Sequence, residues 1–219
     1  MIILVGSNKG GAGKTTTAIT IASGLAAHNN DCDICLIDAD KQSSASRWSS
    51  DRECSDNELT HITCLQKYGN LQPTLNSLKN KYDHIVIDVS GRNSRELITG
   101  MLCADLLISP AQCSQLDLDT LSELQEQVLR AKDFNPNLSV CIYHVMSSTN
   151  PKVAPLNKKE FKEFVSEYGD FRLFDAFSCY RKIYRDVMPD GISVIEQNHD
   201  LKAKQEGLEL IEEVLTYAN

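Results

Sequence analysis

The chain has 219 residues, 42% of them hydrophobic and 24% charged, which suits one folded domain with a proper core and excludes a disordered or fibrous protein. Its net charge of −8 excludes a uniformly basic nucleic-acid binder, and no apolar run approaches the ~20 residues of a membrane span. The opening MIILVGSNKGG has no basic leader and no small-residue cleavage site. It reads as a first buried strand, and the eight cysteines read as reduced thiols of a cytoplasmic protein.

Short apolar runs alternate with longer amphipathic segments. Ile2–Val5, Ile34–Ile37, Ile85–Val89, Leu106–Ser109 and Val140–Val145 are rich in β-branched residues or leucine and predict strands buried on both faces. Between them Lys14–Ala27, Ser43–Glu53, Leu71–Lys79, Arg95–Cys103 and Asp117–Phe134 predict helices. Past Pro151 the pattern predicts helices at Lys158–Tyr168, Tyr180–Val187 and Lys202–Tyr217, with a strand at Arg172–Phe177. Strand–helix alternation at this spacing implies right-handed βαβ units. The expected fold is therefore α/β, a single-domain, doubly wound, mostly parallel sheet flanked by helices. No repeat or Pro/Gly/Ser-rich linker divides residues 1–219.

The segment Lys9-Gly10-Gly11-Ala12-Gly13-Lys14-Thr15-Thr16 follows a predicted strand and opens a predicted helix. Glycines let backbone N–H groups turn toward phosphate oxygens, and the helix start points its positive dipole end the same way. Lys14 can reach β- and γ-phosphates, and the Thr15 hydroxyl can ligate Mg²⁺. The general Walker pattern has glycine where this chain has Asn8, and here a second lysine, Lys9, opens the loop. Cys32-x-x-Cys35 has redox or zinc spacing, but it runs into a predicted core strand and no second pair completes a site, so it reads as buried thiols.

This loop, KGGxGKT, resembles the deviant Walker A form of the ParA/MinD group of ATPases. The resemblance covers nearly the whole chain, dense over about the first 120 residues and thin after Pro151. It implies that Lys9 crosses a dimer interface to the phosphates of a second subunit, and that ATP and Mg²⁺ are the cofactors. Asp38-Ala39-Asp40-Lys41-Gln42 looks like the group's DxDxQ motif, with lysine where proline is usual. By that likeness Asp38 stands near the Mg²⁺ hydration shell and Asp40 positions the attacking water. Lys41 adds a cation on the γ-phosphate side. His84–Asp88 is a hydrophobic strand ending in Asp, the Walker B pattern, so Asp88 would hold a Mg²⁺-bound water. Gly91 would serve as the switch glycine, with Arg92 an extra charge or a solvated one. Leu106–Pro110 and Ser114–Leu118 resemble a stretch at the relatives' dimer face. Base recognition in relatives comes from the strand end near Val145–Ser148 and from a loop nearer the C-terminus. Met146-Ser147-Ser148 lacks their usual arginine or asparagine.

Within the group, the expected match is a short ParA-type partition ATPase without an N-terminal helix-turn-helix extension. That reading implies ATP-driven homodimerisation, non-specific DNA binding, and hydrolysis stimulated by a centromere-binding ParB-type adaptor, with nucleoid association in the ATP state. Arg181, Lys182 and Arg185 are the candidate DNA contacts, Arg181 and Arg185 sharing a face at helical spacing. Lys158, Lys159, Lys162, Lys202 and Lys204 could join them, and a solvated, mixed-charge face is the competing reading. A MinD-like membrane-associated positioning ATPase is the first alternative, but the last helix, Glu206–Leu215, is acidic on its polar face and unsuited to anionic lipid, so no membrane partner is expected. A dethiobiotin-synthetase-like enzyme fits Lys9 and DxDxQ less well. A cluster-bearing reductase would need Cys103 and Cys113 in a sequence context they lack.

Overall fold

A computed structural model describes residues 1–29, 31–55, 58–91 and 94–218, with the backbone only at 115–119. Among the described residues seven strands form one sheet: β1 (Ile2–Val5), β2 (Ile34–Ala39), β3 (Thr63–Gln66), β4 (His84–Val89), β5 (Leu106–Ala111), β6 (Ser139–Ser147) and β7 (Arg172–Cys179). Their order is β3-β2-β4-β1-β5-β6-β7, and every ladder is parallel. The expected doubly wound α/β fold is the one observed. Parallel strands all end on one edge, so the residues that follow β1, β2 and β4 converge there.

β1, β2 and β5 are buried at every position, as continuous apolar runs require. The edge strand β3, which the sequence does not predict, reads Thr-Cys-Leu-Gln and is only half-buried. It lacks the apolar run that marks the inner strands.

Helix α1 (Lys14–His28) is buried around most of its circumference. It lies between the sheet and α8 (Leu201–Leu215). Gly24 permits the contact, because a Cβ there would fall 2.3 Å from Ile211 Cγ1. Asp200 caps α8 by accepting from the amides of Lys202 and Ala203.

Helices α2 (Ser44–Glu53), α3 (Gln72–Leu78), α4 (Arg95–Met101), α5 (Gln115–Lys132) and α6 (Ala154–Val165) complete the two layers. Buried Arg52 fastens α2 to the C-terminal segment. It pairs with Glu196 at 2.7 Å and donates to the carbonyls of Thr60 and Gly191. Helix α6 starts four residues before its expected Lys158, with Pro155 in its first turn, where a missing N–H costs nothing.

Helix α7 is only Ile183–Asp186, followed by a 3₁₀ turn at Met188–Asp190. The expected helix Tyr180–Val187 is thus shorter, and Arg181 precedes it. Among the described residues no helix is long and apolar enough to cross a membrane.

Candidate functional site

The loop after β1 takes its shape from two glycines. Gly11 and Gly13 have φ of 73° and 77°, in the left-handed region that favours glycine. Lys14 Nζ donates to the carbonyl oxygen of Lys9 at 2.7 Å, closing the loop on itself. Lys14 is 7% exposed, and burial lowers its pKa, against the pull of Asp88 and Asp40. The ammonium and both carboxylates therefore share one site.

β2 and β4 place Asp38 directly beside Asp88 in register, and both are fully buried. Asp38 is occupied by backbone: Oδ1 accepts from the Asp40 amide at 3.1 Å and Oδ2 from the Ser46 amide at 2.7 Å. It anchors the loop that carries Asp40 and the first turn of α2. Asp40 Oδ1 in turn accepts from the Gln42 amide at 2.9 Å, and the Ser43 amide donates to the Asp40 carbonyl at 2.8 Å. Ser43 closes this turn at φ 53°, an unusual conformation for a residue with a side chain. Lys41 is exposed on this loop.

Neither Asp88 oxygen has a hydrogen-bond partner. Burial pushes its pKa up to about 7, against the pull of the Thr15 hydroxyl and the Lys14 ammonium. A buried, unsatisfied carboxylate facing a loop hydroxyl fits a hydrated divalent cation, which would supply the missing donors. Asp88 and Thr15 thus meet the requirement for Mg²⁺. Gly91 lies against the phosphate loop, where a Cβ would stand 3.1 Å from the Gly10 nitrogen and from the Lys9 carbonyl carbon and oxygen. Arg92 lies outside the described residues, as do the side chains of Gln115–Leu118 in the expected dimer-face stretch.

A cavity opens beside the loop, between the first turns of α1 (Gly13, Thr16, Thr17, Thr20) and the ends of β6 and β7 with α7. Met146, at φ 55°, brings its Cε within 3.7 Å of where a Gly13 Cβ would stand. Tyr143, Tyr180 and Tyr184 line the other side. The family resemblance implies a base site near Val145–Ser148 and a loop nearer the C-terminus but does not identify these tyrosines, because Tyr143 reads as strand core and Tyr180 and Tyr184 as part of the expected helix Tyr180–Val187.

The expected DNA contacts separate. Arg181 is turned inward: its Nη2 meets Glu206 Oε1 at 2.8 Å and its Nη1 meets Asp200 Oδ2 at 3.7 Å. The shared helical face with Arg185 does not form, since α7 begins after Arg181. Lys182 and Arg185 remain on the surface side, Lys182 paired with Asp186 at 3.2 Å and Arg185 set over the Tyr180 ring. Cys35 is a buried strand thiol, its pKa raised to about 12 by burial.

The model of the CobQ/CobB/MinD/ParA nucleotide binding domain matches residues 3–216. Protein ParA of Rhizobium radiobacter is 28% identical, over 93% of this chain and 87% of its own length. Maintenance of carboxysome distribution protein A of Halothiobacillus neapolitanus is 24% identical, over 89% and 86%. Among solved structures, the ATP complex of a Cyanothece McdA variant superposes with a TM-score of 0.76 at 17% identity, covering 99% of this chain and 96% of that one. MinD from Pyrococcus horikoshii with Mg-ADP gives 0.74 at 20% identity, covering 97% and 95%. At these identities the structural likeness shows the fold.

Proposed function

Given that the chain belongs to the CobQ/CobB/MinD/ParA nucleotide-binding family, we propose that it is a partition or positioning ATPase in which Mg-ATP joins two copies and hydrolysis separates them. The observation that carries this reading is buried, unpartnered Asp88 beside a closed loop holding Lys9 and Lys14. Lys14 leaves the Lys9 carbonyl for the β- and γ-phosphates. The amides of Gly10–Thr16 face the phosphate oxygens. Thr15 and Asp88 hold Mg²⁺, with Asp38 keeping the adjoining loop in place. The metal, when bound, would supply charge neutralisation at the phosphates. Asp40 positions the attacking water, and Lys9 reaches the phosphates of the second copy.

In this reading the ATP dimer binds DNA without sequence preference, through Lys182 and Arg185 with the α6 lysines 158, 159 and 162, and a ParB-type adaptor stimulates hydrolysis. An acidic monomer with scattered cations binds poorly, whereas two copies acting together make binding ATP-dependent. Arg181 takes no part in that surface, because Glu206 and Asp200 occupy its guanidinium. Relatives named for chromosome partition and for carboxysome distribution support a common engine whose cargo is set by an adaptor.

The test is binding to random-sequence duplex DNA with ATP, with ADP and without nucleotide, at two salt concentrations. Binding with ATP alone, weakened by salt, is the expected result. Equal binding, or none, in all three states contradicts it.

A further inference from the structure

Glu206 lies on α8, 8% exposed, behind the cavity next to the phosphate loop. Four donors converge on it. Oε1 accepts from Arg181 Nε at 3.0 Å and from Arg181 Nη2 at 2.8 Å. Oε2 accepts from the Cys179 amide at 3.0 Å and from the Tyr184 hydroxyl at 3.0 Å. A carboxylate withdrawn from water is strongly unfavourable unless paired and fully hydrogen-bonded, and here it is both.

The groups it gathers come from one stretch of chain, the end of β7 through α7. That stretch is the cavity wall opposite α1. Helix α7 has four residues, none of them fully buried; Ile183 and Tyr184 pack in part against Val194, Ile195 and Ala203, which leaves room for a further hold on its position. Glu206 supplies that hold from α8, and α8 is itself packed on α1. Both walls of the cavity are therefore referred to the helix that opens at the phosphates.

We propose that Glu206 is a positioning residue for nucleoside binding: it holds Arg181 and Tyr184 so that the wall from Cys179 to Arg185 stands at a fixed distance from α1 and receives the base. This rests on the reading that the loop takes ATP. Glu206 and Arg181 do not read the base themselves, because Glu206 is filled by its four donors and Arg181 is held by Glu206 and Asp200. Recognition falls to the Tyr180 and Tyr184 rings and to backbone groups of the wall. The wall then orders the nucleoside, while the loop alone holds the triphosphate.

Calorimetric titration with Mg-ATP and with Mg-tripolyphosphate separates the two parts. The proteins compared are wild type, Glu206→Gln and Tyr184→Phe, each checked for folding by thermal melting. Glu206→Gln should weaken Mg-ATP by about tenfold and leave Mg-tripolyphosphate within about twofold of wild type. Tyr184→Phe, which removes one hydrogen bond and keeps the ring, should weaken Mg-ATP by about threefold, again without affecting tripolyphosphate. If Glu206→Gln fails to fold, Tyr184→Phe carries the test. Unchanged ATP affinity in the variants, or parallel loss of both ligands, overturns the proposal. A wild type that binds both ligands equally well overturns it alone. A wild type that binds neither overturns the nucleotide reading as well.

Discussion

Asp38 and Asp88 stand side by side on β2 and β4, both fully buried, yet Asp38 has each oxygen bonded to a backbone amide and Asp88 has neither oxygen bonded. The two carboxylates therefore do different work. Asp38 fixes the loop bearing Asp40, while Asp88 remains available for a metal-bound water. Replacing Asp88 by Asn removes a buried carboxylate that has no hydrogen-bond donor. The nucleotide-free melting temperature should rise, while phosphate release with Mg-ATP falls by about 100-fold or more. Thermal melting and a phosphate-release assay check both. A variant that melts lower and hydrolyses normally contradicts the assignment.

Gly91 should tolerate no side chain. A Cβ at 3.1 Å from the Lys9 carbonyl and the Gly10 nitrogen pushes on the phosphate loop. Gly91→Ala should weaken ATP binding by about tenfold while costing ~1 kcal/mol of stability or less, measured by titration and by urea unfolding.

Asp40 lies in a turn strained at Ser43 and braced by Asp38. Asp40→Ala should bind ATP and dimerise but lose turnover by about 100-fold or more. Normal hydrolysis by that variant would remove Asp40 from the water-positioning role.

His144 gives the fold an acid sensitivity away from the site. Its ring stacks on Phe161 at 4.4 Å, its Nε2 is buried without a partner, and burial, helped by Lys158, lowers its pKa from 6.5 to about 4. Between those values the unfolded chain binds a proton that the folded chain does not. This group's contribution is therefore full above pH 6.5 and is lost as pH falls toward 4. In His144→Phe, stability plotted against pH should be flatter over that window, as read by urea unfolding at pH 7, 6 and 5. An unchanged slope would place the acid sensitivity in other groups.

The candidate site was legible where its residues are contiguous in the sequence. Lys9–Thr16, Asp38, Asp40 and Asp88 are short motifs at strand ends, and parallel pairing brings strand ends together. Inner strands were legible because burial on both faces demands unbroken apolar runs. Edge strand β3 was not, since its Thr-Cys-Leu-Gln carries no such run. Nor was the inward turn of Arg181: its partner Glu206 lies 25 residues away on α8, and helical spacing alone placed it on an exposed face. The tyrosine-lined cavity was hidden for a related reason, because Tyr143 and Tyr184 reach it only through the packing of β6, α7 and α8.

Light scattering of the Asp40→Ala protein, with and without Lys9→Ala, in Mg-ATP, Mg-ADP and no nucleotide tests the central claim most directly. The account predicts twice the 24.4 kDa chain mass for Asp40→Ala in Mg-ATP only, and a return to one chain mass when Lys9 is also replaced. A single chain mass in every state, or a dimer indifferent to nucleotide and to Lys9, would contradict it.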